Sequence, residues 1–180
     1  MHGLVSLLPA PYYEQVLALW RELEDEISLH GIRVTPHPHF SWQIAREYQL
    51  EELEGIIRRL AGSIAPFTVR TTGIGLFSGP RPVIYISVVK DKTLLNLHEQ
   101  IWGTTQPAGQ GVSLHYSPQS WMPHISLAYE DLDADNLPRA VNKLAFRSFN
   151  WEMTIDNIAL VYEPEGQTGG LHFRYELTGN

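Results

Sequence analysis

Apolar positions along the chain follow two periods, one typical of strands and the other of helices. Residues 4–8 form a short apolar run that predicts a strand, and residues 67–76 alternate in polarity before a Ser-Gly-Pro turn. A helix is predicted to begin at Pro11 and to stop at Gly31. Its apolar face consists of Val16, Leu17, Trp20, Leu23 and Ile27. The remaining predicted elements are strands at 34–45, 83–89, 124–129, 151–162 and 171–177, helices at 49–61, 93–102 (capped by Asp91) and 137–146, and a loop at 104–120.

The order of these predicted elements occurs twice. The strand at 4–8 corresponds to residues 84–88, at an offset of about 80, and the strand at 67–76 corresponds to residues 152–161, at an offset near 85. A repeat of this length predicts an α+β fold made of duplicated, two-lobed β-α-β-α-β units. We expect pseudo-two-fold symmetry, a central cleft between antiparallel-rich sheets, and a single bilobal domain over 1–180, with repeat halves of about 1–80 and 81–180.

Composition places the chain among globular proteins and narrows its partners. The 180 residues are 43% hydrophobic and 18% charged, with a net charge of −7 and no cysteine. An excess of acidic residues disfavours binding along an extended nucleic acid, because such binding needs lysine and arginine next to the phosphates. The absence of cysteine excludes disulfides, zinc–thiolate sites and thiol catalysis. The apolar run at 4–8 is too short for a membrane span and follows no basic segment, which favours a cytoplasmic protein without a membrane partner.

A repeated tetrapeptide carries the candidate chemistry. Pro-His-Phe-Ser stands at 38–41 and Pro-His-Ile-Ser at 123–126, at equivalent places in the repeat. Residues two apart on a strand share a face, so His39 lies beside Ser41, and His124 lies beside Ser126. The same parity assigns to the core Phe40, Trp42 and Ile44 in one strand, and Ile125, Leu127 and Tyr129 in the other.

Two imidazoles and two hydroxyls across one cleft suit the cleavage of a phosphodiester. A neutral histidine can take a proton from the attacking hydroxyl or water, while a protonated histidine gives one to the leaving oxygen. The hydroxyls of Ser41 and Ser126 can donate to the non-bridging phosphate oxygens as charge develops. This chemistry needs neither a metal nor another cofactor, and it leaves open which of His39 and His124 is the acid.

The two motifs resemble those of the two-histidine (2H) phosphoesterase superfamily, which includes RNA 2′,3′-cyclic phosphodiesterases and 2′-5′ RNA ligase proteins. Its hallmark is a pair of His-x-Ser/Thr-x motifs on strands of a duplicated, bilobal fold, and the resemblance covers nearly the whole chain. It implies a phosphoric diester hydrolase of RNA processing that acts on 2′,3′-cyclic nucleotides, short RNA ends or 2′-5′ linkages, by hydrolysis or reversible ligation. One departure is that Gln43-Ile44-Ala45-Arg46 stands where an aliphatic-Gly stretch commonly follows the first motif.

Other residues near the motifs are candidates for the edge of the pocket. These are His37, Gln43, Trp121 and Tyr116. Three arginines, Arg46, Arg70 and Arg81, are candidates to contact the substrate, and we expect His115 and His172 to be structural or exposed. Two alternatives remain open at this point: a non-catalytic module that binds nucleotides or RNA ends on the same fold, and a metal-dependent enzyme built on His37 and His39.

Overall fold

The computed structural model describes residues 1–180 and has an α+β fold with two antiparallel sheets. Its nine strands are β1 (His2–Leu7), β2 (His39–Tyr48), β3 (Phe67–Phe77), β4 (Val83–Val88), β5 (Gly109–Val112), β6 (His124–Ala128), β7 (Glu152–Ile155), β8 (Asn157–Tyr162) and β9 (Gly170–Glu176). Its four helices are α1 (Tyr12–Ile27), α2 (Leu50–Ser63), α3 (Lys92–Thr105) and α4 (Asn136–Ala145). Short 3-10 helices lie at Gly31–Val34, Gln106–Ala108 and Leu114–Tyr116.

The first sheet has the strand order β5-β2-β1-β8-β9, and the second has the order β6-β4-β3-β7. The first unit contributes β1, β2 and β3, and the second contributes β4, β6 and β8. The order β2-β1-β8 in the first sheet therefore corresponds to β6-β4-β3 in the second. The third strand of each unit lies in the sheet that contains the first two strands of the other unit. The two units are therefore interlocked by an exchange of strands, and their motif strands β2 and β6 hold equivalent positions. The duplicated α+β architecture predicted from the sequence is confirmed.

Helices cover one side of each sheet. The α2 and α3 helices pack on the first sheet, and α1 and α4 pack on the second. The buried face of α1 consists of Val16, Leu19, Trp20, Leu23 and Ile27, a helical spacing that explains why this segment folds as one amphipathic helix. A single cluster of 39 buried residues draws on both halves of the chain, so the two halves share one core.

The first helix ends four residues before the glycine that was expected to stop it. Ser28 adopts the left-handed conformation with φ 65°, and the chain leaves α1 there. Gly31 serves a different purpose, because a Cβ atom at this position would lie 2.1 Å from the main-chain oxygen of Tyr129. The segment after α1 can therefore approach the end of β6 closely only with glycine at this place.

Two other predicted segments differ from the structure. The predicted loop at 104–120 contains β5 and two of the 3-10 helices. The single strand predicted at 151–162 is divided at Asp156 into β7 and β8, which belong to different sheets. The side chain of Asn157 accepts a hydrogen bond from the Leu7 amide (2.8 Å) and donates one to the Leu7 carbonyl (3.0 Å), which ties the start of β8 to the end of β1.

No helix of the structure combines the length and the apolar character that crossing a membrane would require.

Candidate active site

The two motif histidines begin their strands and are held in the same way. The Nδ1 atom of His39 lies 2.5 Å from the main-chain oxygen of His37, and that of His124 lies 2.7 Å from the oxygen of Met122. A carbonyl only accepts, so Nδ1 carries the proton of each neutral ring. The Nε2 atom of each ring is then left without that proton and is free to act as a base.

Both histidines line one cavity of about 670 Å³ between the sheets, together with Ser41 and Ser126. His39 and Ser41 belong to the first sheet and His124 and Ser126 to the second, so the cavity brings together the motif side chains of both sheets. The volume is within the range of pockets that enclose a small organic ligand, about 300–1,000 Å³.

A β-bulge follows each motif serine. Beyond the bulge, the positions that strict alternation assigns to the cavity face the core, and those that it assigns to the core face the cavity. Ser41 pairs with Val5 and Gln43 with Leu4, which leaves Trp42 as an extra residue in β2. In β6, Ser126 pairs with Tyr85 and Ala128 with Ile84, which leaves Leu127 as the extra residue. The bulges occupy equivalent places in the two units and are part of the repeat.

The bulges correct the core assignment made from strict alternation. Phe40, Trp42, Ile125 and Leu127 are buried as predicted. Ile44 and Tyr129, which the alternation also assigned to the core, line the cavity instead, because they come after the extra residue. Burial raises the pKa of the Tyr129 hydroxyl far above its ordinary value, so this wall residue stays neutral.

Of the four candidates for the pocket edge, the structure places Tyr116 in the lining and the other three elsewhere. Gln43 is fully buried, since the bulge turns it inward, and its side-chain oxygen accepts hydrogen bonds from Tyr48 and Thr105. His37 turns toward α1, where its Nδ1 atom lies 2.9 Å from the Tyr13 hydroxyl, and only its main-chain oxygen serves the site.

Trp121 is buried rather than at the edge, and it holds the first motif from behind. Its indole nitrogen donates to the main-chain oxygen of Ser41 (2.9 Å), and its ring stacks on that of His98 with centroids 3.8 Å apart. Trp20 makes the equivalent bond to the oxygen of Ser126 (3.1 Å). Sequence reasoning missed both roles, because nothing in the pattern tells an indole that bonds to a strand from one that only fills the core.

Burial lowers the pKa of both motif histidines. The pKa of His39 falls from 6.5 to about 4, chiefly because of its desolvation, with smaller contributions from the nearby charges of His124 and His37. Desolvation also lowers the pKa of His124. Both imidazoles are therefore neutral in the free protein at neutral pH, and a bound anion is needed to favour a proton on one of them.

The candidate arginines lie outside the cavity lining. Arg70 faces Asp91 at 3.8 Å, Arg81 pairs with Glu130 at 3.1 Å, and Arg46 is exposed. His115, expected to be structural or exposed, is exposed and lies in the lining, whereas His172 stacks on His2 with ring centroids 5.2 Å apart. No group of three or more histidine, aspartate or glutamate side chains converges as the ligands of a metal ion would.

The interlocked sheets and the paired histidine–serine strands define the class of protein to which this chain belongs. Residues 13–167 match the family model of the 2′-5′ RNA ligase superfamily, and the chain belongs to that superfamily. The resemblance to this superfamily is thereby confirmed. Membership and fold support an activity of the phosphoesterase or 2′-5′ RNA ligase type.

Individual relatives agree with this assignment. The chain is 28% identical over 153 residues to a Bacillus cytotoxicus protein named "Putative phosphoesterase", a match that covers 81% of this chain and 84% of the relative. Among solved structures, it shares the fold of TT0787 of Thermus thermophilus (TM-score 0.68, 21% identity, 99% and 98% of the two chains). It also shares the fold of E. coli LigT complexed with 3′-AMP (TM-score 0.64, 18% identity, 98% and 97%).

Proposed function

We propose that the protein is a phosphodiesterase in which His39 and His124 act as the acid–base pair and Ser41 and Ser126 bind the phosphate. The observation that carries the proposal is the matched tethering of the two rings. The Nδ1–H of each ring donates a hydrogen bond to the main-chain carbonyl of the residue two positions earlier, and both rings line the cavity that holds the two serines. If the two histidines were unrelated structural residues, we would not expect them to have the same tautomer, to precede equivalent β-bulges and to line the same cavity.

The mechanism follows from the environment of the two rings. His39, with the pKa lowered to about 4, takes the proton of the attacking water through Nε2. His124 donates a proton from Nε2 to the leaving ribose oxygen, so the P–O bond to water forms as the ester P–O bond breaks. The two serine hydroxyls donate to the non-bridging oxygens, where negative charge develops in the transition state. No step requires a metal ion.

The substrates proposed are 2′,3′-cyclic phosphate nucleotides or RNA ends, with 2′-5′ linkages as the related class. The similar fold of LigT, solved as complexes with 3′-AMP and with ATP, supports a nucleotide ligand for this cavity. A cyclic ester fits the arrangement because, in an in-line displacement at its phosphorus, the attacking water oxygen and the leaving ribose oxygen lie on opposite sides. The two histidines can then serve opposite ends of the same displacement, and ligation would follow the same course with the 5′-hydroxyl of a second RNA end, in place of water, as the nucleophile.

The proposal is tested by incubating the purified protein with 2′,3′-cyclic nucleotides and 2′-5′ dinucleotides and identifying the product as a 2′- or a 3′-phosphate. We expect turnover of at least one class, with a single regioisomer as product. The variant with both His39 and His124 changed to alanine serves as the control for a contaminating nuclease. Binding without turnover would instead establish a nucleotide-binding module and contradict the catalytic proposal.

A further inference from the structure

The charge of the cavity lining is unusual for a site that receives a nucleic-acid end. None of its 22 lining residues is a lysine or an arginine. Histidines aside, Glu163 is the only lining residue whose side chain carries a full charge at neutral pH. Met1 also belongs to the lining, and its amino group donates a hydrogen bond to the main-chain oxygen of Glu163 (2.8 Å).

Three arginines that are close in sequence to lining residues do not themselves belong to the lining. Arg33 bonds to Glu24 (3.1 Å) and Arg81 to Glu130 (3.1 Å), so both are engaged with carboxylates. Arg46 is exposed and lies outside the lining. Each phosphate that a protein binds along a nucleic acid is ordinarily neutralised by lysine or arginine. Phosphates beyond the reacting one would find no lysine or arginine in the lining.

The walls that replace the missing cations are apolar. On the His39 side, Gly3 lies between Ile44 and Val161, and a Cβ on Gly3 would be 3.0 Å and 3.2 Å from their side chains. On the His124 side, the ring of Phe77 meets that of His124 edge to face, with centroids 4.9 Å apart. All four of the apolar residues Gly3, Ile44, Phe77 and Val161 belong to the lining. Contact between such walls and an uncharged group favours binding, whereas contact with a phosphate opposes binding because it removes water from the charge.

We propose that the cavity selects a phosphodiester of single-nucleotide size whose only negative charge is on the reacting phosphate, and that it discriminates against oligonucleotides. This inference rests on the proposed function and narrows its substrate class. Glu163 is the specificity-determining residue, because its carboxylate repels any further phosphate that a longer substrate brings to the lining.

The test compares 2′,3′-cyclic AMP with a tetra-adenylate that ends in the same cyclic phosphate. We expect kcat/KM to be at least about tenfold higher for the mononucleotide. Raising NaCl from about 50 mM to about 200 mM should raise kcat/KM for the tetranucleotide, since salt screens the repulsion. A basic groove would show the opposite trend, because salt weakens binding by lysine and arginine.

Charge reversal separates a local effect from one of net charge. Glu163→Lys should raise kcat/KM for the tetranucleotide about three- to tenfold while changing that for the mononucleotide less. Glu165→Lys makes the same change at an exposed residue outside the lining and should have little effect. An equal gain from both variants, or a tetranucleotide cleaved as well as the mononucleotide, would overturn the inference and leave the proposed function standing. The absence of turnover on both substrates would overturn the proposed function and this inference with it.

Discussion

The indole nitrogen of Trp121 donates a hydrogen bond to the main-chain oxygen of Ser41, at 2.9 Å. The bond crosses from the segment that leads into the second motif to the strand that carries the first. The two motifs are therefore joined through buried groups as well as through the cavity they share. The position of the Ser41 hydroxyl then depends on a residue that does not itself line the site.

Trp121→Phe should test this link, since it keeps an aromatic ring and removes the donor. The buried Ser41 oxygen would lose its partner, at an expected cost of about 1–3 kcal/mol in the free energy of unfolding. We also expect a lower kcat, because the serine is less firmly placed. Urea unfolding and steady-state kinetics measure the two effects. Trp102→Phe is the matched control, a half-buried tryptophan whose ring lies 6.2 Å from that of His98. Equal effects of the two variants would contradict a specific role for the bond.

Replacing either motif histidine should remove most of the activity. We expect His39→Ala and His124→Ala each to lower kcat by about 10²–10⁴, the usual contribution of one acid–base group. The double variant should be far less impaired than the product of the two effects, because the residues act as a unit. His30→Ala changes an exposed histidine outside the cavity and should retain full turnover. Turnover at the wild-type level in either motif variant would refute the assignment.

His37→Ala should retain most of the activity. The site uses the main-chain oxygen of His37, which alanine keeps, while the imidazole faces Tyr13 outside the lining. The equivalent residue in the second unit is Met122, whose oxygen performs the same task. The assay is run with and without EDTA, which we expect to have no effect. A loss of activity on chelation that a divalent ion restores would favour the metal-dependent alternative.

Ser41→Ala and Ser126→Ala should each lower kcat about 10-fold to 10³-fold, in line with the loss of one donor to a developing anion. Ser41 is 8% exposed, so its hydroxyl is well placed to act in a largely desolvated setting. Burial raises the pKa of the neighbouring Tyr116 to about 12, while a hydrogen bond between its side chain and Ser41 acts in the opposite direction. Ser148→Ala, at an exposed position, is the control. Normal kinetics in both motif variants would mean that other groups hold the phosphate.

The sequence was sufficient to predict the repeated elements and the four motif side chains that meet in the cavity, because both depend on regular periods. It was insufficient where a single residue breaks the period. The extra residues Trp42 and Leu127 turn Gln43 inward and bring Tyr129 into the lining, and an unbroken alternation predicts the reverse. A bulge is defined by pairing with a second strand, which the local pattern does not contain.

Long-range pairing explains the other differences too. Residues 151–162 read as one strand, yet β7 pairs with β3 and β8 with β1, so the chain crosses between sheets at Asp156. The short β5 is rich in glycine, and its sequence therefore predicts a loop. It forms a strand because it pairs with β2, which supplies the stability that its own residues lack. In each case, tertiary contacts decide between structures that the local sequence permits about equally.

The pH dependence of the reaction follows from the lowered pKa values of the two histidines. The active form of the pair has one neutral imidazole and one imidazolium. Its kcat/KM, which reports the free protein, falls as pH drops through the lower value, set by His39 at about 4. It also falls as pH rises through the upper value, set by His124, whose pKa lies below the ordinary 6.5. The maximum of kcat/KM should therefore lie on the acid side, below about pH 6.5.

The profile of kcat alone should lie at higher pH, because a bound phosphate anion favours the imidazolium and raises both apparent values, which belong to the coupled pair. Rates on a 2′,3′-cyclic nucleotide measured from about pH 4 to about pH 9, at constant ionic strength, give both profiles. The exposed-histidine variant His30→Ala should give curves that superimpose on those of the wild type. A value of kcat/KM that climbed steadily to about pH 9 would be incompatible with acid–base catalysis by His39 and His124, since deprotonation of the acid would then have no cost.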